Sequence, residues 1–215
     1  MCFNEYVSFS VFGVGTILNI LMYKMFNDNN ILVIAIMWQW ILWMQLFEGF
    51  MWLSMKHNKK SLNEIGVYGA YITNVLQPIV LFVSLILLTK QHKYYKIVGG
   101  IISLMYISII IYKYVSVTKN KLQLDLYKKT EYDCHHIDYT WWNDNMIGYI
   151  YCVFIILLLV FAIPHKIYIF QLVCLILTWI IAMNTFAKCG NYSMWCFIVL
   201  IIPILTIIYH KIYGL

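Results

Sequence analysis

Apolar runs of membrane-crossing length recur seven times in this 215-residue chain, at 6–26, 31–55, 66–89, 95–115, 146–163, 167–187 and 193–212. A bilayer core of roughly 30 Å needs about 20 consecutive apolar residues per helix. With no water to satisfy backbone groups, such segments must be helical. The sequence therefore predicts an all-α fold: a polytopic membrane protein, a seven-transmembrane-helix bundle, forming a single domain over 1–215. The links are short except 116–145, a polar loop between helices 4 and 5 that is too polar to span and too long for a simple turn. A soluble fold is excluded, because hydrophobic residues make up 63% of the chain and charged residues 11%, the reverse of what a water-facing surface needs. The first run reads as a retained helix, since Glu5 is the only charge before it and no small-x-small cleavage site follows.

All 15 basic side chains are lysine. Lysines flanking membrane helices snorkel to the headgroups, which accounts for the formal charge of +6. Nucleic acid is not an expected partner: no basic helix face or aromatic-basic module is present, and the guanidinium group favoured for bidentate contacts is absent. Seven spans put the N-terminus on one side, here face A, with the links 56–65, 116–145 and 188–192. Face B receives 27–30, 90–94, 164–166 and the C-terminus. Lysines occur on both faces, but no positive residue precedes the first helix and Lys24 lies near its end, which favours an extracellular or lumenal N-terminus. Cys134 and Cys189 then share face A, where they either form a disulfide or stay free thiols. Cys152, Cys174 and Cys196 fall within or beside apolar runs and read as packing residues.

The second run carries an acid, Glu48, within Trp43-Met44-Gln45-Leu46-Phe47-Glu48-Gly49-Phe50-Met51-Trp52. An ionisable group in hydrocarbon costs several kcal/mol without a partner or water, which makes it a functional candidate. At helical spacing Trp38, Gln45, Glu48 and Trp52 fall within roughly a quarter of the circumference. The third run offers Asn74 and Gln77, then Pro78, whose missing N–H frees the Asn74 carbonyl. Counting inward from face A, Glu48 lies about 10 Å deep, Asn74 about 12 Å, Thr178 about 14 Å, Thr16 about 15 Å and Gln77 about 17 Å. These depths predict a polar vestibule in the half of the membrane nearest face A, with Asn184, Ser193, Trp195 and Cys196 at its rim. The alternative for Glu48 is a protonated acid that holds two helices together, and Gln39, Gln171 and Thr206 read as interhelical hydrogen-bonding groups.

The long loop contains Asp133, Cys134, His135, His136 and Asp138. His135 and His136 can exchange protons near neutral pH. Adjacent residues rarely reach one ion, and the spaced pairs of a zinc site are missing, so no metal is expected. Nor is a cofactor: phosphate loops, dinucleotide fingerprints and hydrolase elbows are absent, and no buried lysine offers itself to retinal.

The segment Gln45-Leu46-Phe47-Glu48-Gly49-Phe50-Met51-Trp52 resembles the Gln-x-x-Glu-Gly-x-x-Trp signature of a poorly characterised family of seven-helix membrane proteins found in giant DNA viruses and some bacteria. Leu76-Gln77-Pro78 and Ser193-Met194-Trp195-Cys196-Phe197 fit the same pattern. The resemblance implies that Gln45, Glu48, Trp52, Gln77, Pro78, Trp195 and Cys196 belong to one shared feature. It implies no reaction. A host or virion membrane is the location it suggests, and the AT-like, arginine-free composition agrees.

Three functions stay open. The first is a channel or transporter for protons or a small polar solute, with Glu48 titrating and Gln45, Asn74 and Gln77 lining the path. Its weakness is that only Ser84 continues the third helix towards face B. The second is a ligand-binding, sensing or structural membrane protein, and the third a lipid-acting enzyme using Glu48 and a loop histidine. An enzyme is the least expected, because no nucleophile or metal set accompanies the acid.

Overall fold

The computed structural model describes residues 4–90, 92–119, 145–161, 166–185 and 200–213. Among them the chain forms eight helices and no strand: α1 Glu5–Phe26, α2 Asn29–His57, α3 Lys60–Val75, α4 Gln77–Leu88, α5 Lys93–Lys119, α6 Asn145–Phe161, α7 Lys166–Thr185 and α8 Ile201–Tyr213.

The first two helices show how short polar links make a hairpin. Asn27 adopts the left-handed conformation (φ 48°) and its N–H bonds the Tyr23 carbonyl, closing α1. Asn is among the few non-glycine residues that tolerate this region. The next residue, Asp28, opens α2 by accepting from the N–H groups of Asn30 and Ile31. Asn58 (φ 50°) ends α2 in the same way, its N–H on the Ser54 carbonyl. At the face A end of the hairpin Lys56 and Glu5 form an ion pair.

The 66–89 run, expected as one span, is two helices bent by 54° at Leu76. Pro78 explains it: the ring has no N–H and disfavours helical geometry in the residue before it. The Leu76 N–H lies on the Ile72 and Asn74 carbonyls, and the Val75 carbonyl accepts the Tyr106 hydroxyl of α5 at 2.8 Å. A side chain from a neighbouring helix thus covers a backbone group at the break.

Helix α2 is the axis of the molecule, packed by α1, α3 and α4. Val33, Ile34, Met37, Ile41, Leu42, Met44 and Met51 are buried along it. Lipid tails are as apolar as leucine, so close packing, rather than water exclusion, holds such helices together. At Gly66 the α3 backbone comes close to that of α2: an added Cβ would lie 2.9 Å from the Phe47 carbonyl oxygen. Ala70, four residues on, is buried as well, which makes a small-xxx-small face on α3. The outward faces are apolar: Val14 and Ile17 of α1, Ile101 and Leu104 of α5, and Val173 and Leu177 of α7 are exposed.

Three helices are long and apolar enough to cross a membrane, α1, α2 and Lys93–Tyr112 of α5, or up to four if α3 and α4 form one broken span. The remaining expected spans occur as the shorter apolar helices Tyr149–Val160, Lys166–Ala182 and Ile201–Tyr213 among the described residues.

Candidate functional site

Glu48 sits on α2 with no exposure to solvent, and Gln45, one turn earlier, is equally buried. The Gln45 amide donates to Glu48 Oε2 at 2.9 Å. This is the i,i+3 contact expected when both occupy one face. Glu48 makes further interactions, as do Gln45, Met44, Tyr151 and Thr178.

The break between α3 and α4 lies against the same part of α2. Gln77, the first residue of α4, is 1% exposed. Its amide donates to the thioether of Met44 at 3.7 Å, and its carbonyl oxygen accepts the hydroxyl of Tyr151 on α6. Met44 is adjacent to Gln45 in sequence, so one α2 turn joins the carboxylate to the helix break. Sulfur is a weak acceptor. Asn74, the last turn of α3, is buried beside the break. Trp52, one turn above Glu48, is half-buried, and its indole Nε1 has no hydrogen-bond partner among the described residues.

Thr178 lies on α7. Trp38 Nε1 donates to Gln171 Oε1 at 2.7 Å, and Tyr168 of α7 bonds Asn30 at the start of α2, so the two helices run parallel. Gln45 and Thr178 each lie seven residues beyond the bonded pair, two turns up and on the same helix faces. Thr178 is buried, its hydroxyl donating to the Cys174 and Leu175 carbonyls at 2.8 and 3.1 Å.

Below the acid a second network crosses the bundle. Gln171 accepts from Trp38 and donates to Thr206 of α8 at 2.9 Å, and Thr206 in turn donates to the Ile202 carbonyl. All three side chains are buried. The polar groups continuing towards face B therefore run along α2, α7 and α8. They do not follow α4, where the Ser84 hydroxyl folds back on Leu81.

Thr16 is not brought to the acid. It accepts from Gln39, which also accepts from Asn19, in a cluster between α1 and α2. Asn184 is exposed, with its amide on the Ile180 carbonyl. Cys152 and Cys174 are free thiols. His135, His136, Cys134, Cys189, Ser193, Trp195 and Cys196 lie outside the described residues, and no group of three metal-ligating side chains occurs within them.

Two partners escaped the sequence reading. Tyr151 is one of 18 tyrosines in an aromatic-rich chain, with no local signal to separate it from interface anchors. Met44 reads as packing in any apolar helix. Pro78 was the available signal for both, since a broken helix needs donors and acceptors nearby. No protein-family model, curated protein or solved structure matches the chain.

Proposed function

We propose that this protein is a seven-span membrane transporter that moves protons or a small polar solute through a gated site at Glu48. The observation that carries the reading is the buried Glu48–Gln45 pair joined through Met44 and Gln77 to the break between α3 and α4. An acid at mid-helix costs about 3 kcal/mol on membrane-insertion scales. Interhelical hydrogen bonds return on average about 0.6 kcal/mol each. Net-unfavourable acids in membrane helices characteristically serve ion or proton paths, and discontinuous helices are where transporters hold their substrates.

A gated site fits better than an open pore. Trp38, about 15 Å below Glu48 along α2, can only donate through its indole. The Trp38–Gln171–Thr206 network therefore cannot relay a proton without rearranging, and it seals the face B side. The hinge for such a rearrangement is the bend at Leu76. The same seal favours a second reading, a vestibule that binds a ligand without passing it on. In either case the protein sits in a host or virion membrane with its N-terminus extracellular or lumenal.

The test is pH-driven flux into liposomes holding the wild-type protein or Glu48→Gln, with thermal melting of both as a folding control. Transport predicts flux in the wild type and none in a variant that melts normally. If neither conducts and only the variant melts early, the acid is a structural clamp and the transport reading is wrong.

A further inference from the structure

Net charge, rather than the number of lysines, differs between the two ends expected for the bundle. Lys24, Lys90, Lys93, Lys96, Lys166 and Lys211 all lie at face B and all are exposed. The Phe26 and His210 rings stack at 3.9 Å between the ends of α1 and α8, Tyr168 bonds Asn30 between α7 and α2 at 3.0 Å, and Phe82 of α4 packs on Gly99 of α5. Asp28 is the one acid in the sequence at this face, and its carboxylate is engaged by the N–H groups that start α2. Among the described residues of the opposite end, Glu5 and Glu64 pair with Lys56 and Lys60.

Two local features sharpen the imbalance. Helix α5 begins with Lys93 and Lys96 and has no acid in its first turn, so positive side chains stand at the positive end of the helix dipole, an arrangement that a nearby anion stabilises. Tyr94, next to Lys93 in sequence, and Tyr213, two residues after Lys211, are 59% and 64% exposed, and tyrosine with one apolar and one wet end belongs at headgroup level.

We propose that face B is a docking surface for anionic phospholipid headgroups, with the Lys90, Lys93 and Lys96 cluster as its densest part. A leaflet rich in acidic lipid attracts lysines held near its surface, each changing the affinity roughly fivefold, whereas a zwitterionic leaflet offers no net charge. The surface selects the leaflet as well as the lipid: face B meets the anionic side and the N-terminus the opposite one. This inference is independent of any role for Glu48.

The experiment reconstitutes the full chain in phosphatidylcholine vesicles with and without phosphatidylglycerol, extracts it in mild detergent and counts retained lipids by mass spectrometry. The wild type is expected to retain phosphatidylglycerol preferentially, the more so at low ionic strength. The combined variant Lys90→Gln, Lys93→Gln, Lys96→Gln should lose at least tenfold of that preference while melting normally in phosphatidylcholine, and the corresponding arginine variant should keep it. If the glutamine variant fails to fold, Lys24→Gln, Lys166→Gln, Lys211→Gln provides the same comparison. Equal retention of both lipids by the wild type overturns the proposal, as does a preference that survives neutralisation. Displacement of the lipid by soluble glycerol phosphate also overturns it, since the ligand would then be a free phosphoester.

Discussion

Two buried polar regions on α2, about 15 Å apart, solve the same physical problem in different ways. In the lower one, Trp38, Gln171 and Thr206 are neutral and bonded in series, and each donates to an oxygen. The upper region holds an ionisable group, an amide resting on sulfur, and a helix broken beside it. A closed neutral network joins helices at small cost. A carboxylate at a break is costly and can change its charge. The contrast teaches that burial alone does not mark a membrane site; the kind of polar group and the state of the backbone beside it do.

The contrast can be broken most directly at Glu48. Replacing it by Gln keeps size and hydrogen bonding but removes the titration, so pH-driven flux should fall more than tenfold while the melting temperature hardly moves. A comparable loss from Gln171→Leu would erase the distinction between the regions. Next in size is Pro78→Ala, which restores a backbone donor and allows α3 and α4 to straighten. Flux should drop several-fold, with stability unchanged or slightly raised, as read by the same liposome assay and by melting.

The stability arm runs the other way. Gln171→Leu leaves the Trp38 indole and Thr206 without their partner, and should destabilise by about 0.6 to 1.7 kcal/mol in equilibrium unfolding from detergent micelles, with flux per folded molecule raised because the seal is loosened. The smallest effect is expected in a double-mutant cycle of Trp38→Phe with Gln171→Leu, where a coupling of about 0.6 kcal/mol measures the bond itself. A coupling near zero would show that the network packs helices without holding them.

Much of the upper region was legible from the chain. Glu48 and Gln45 share a helix face by spacing alone, and Pro78 announces a defect beside Gln77. Gln171 and Thr206 read as interhelical bonding groups because isolated amides and hydroxyls in membrane helices usually pair with neighbours. Their partner Trp38 was not legible, because its indole serves equally as apolar bulk or as donor. Thr16 misled for a related reason: depth along the membrane normal says nothing about direction around the bundle, and it turns towards Gln39 instead of Glu48. The break inside the 66–89 run was not legible as two helices, because hydropathy counts apolar residues whether or not they form a single straight helix, as the 54° bend shows.

By itself the sequence determined that the chain is helical, that its helices suit a lipid surroundings, and that one of them carries an acid among amides. These follow from composition and from the 3.6-residue period, which are local properties. Only the tertiary structure decided which polar groups meet. That Met44 lies under Gln77, that Tyr151 bonds the Gln77 side chain, and that Trp38 bonds Gln171 below Glu48 all depend on the crossing of helices far apart in the chain. Hydrocarbon leaves a buried polar group to find its partner within the protein, and the packing of whole helices determines which partner is within reach.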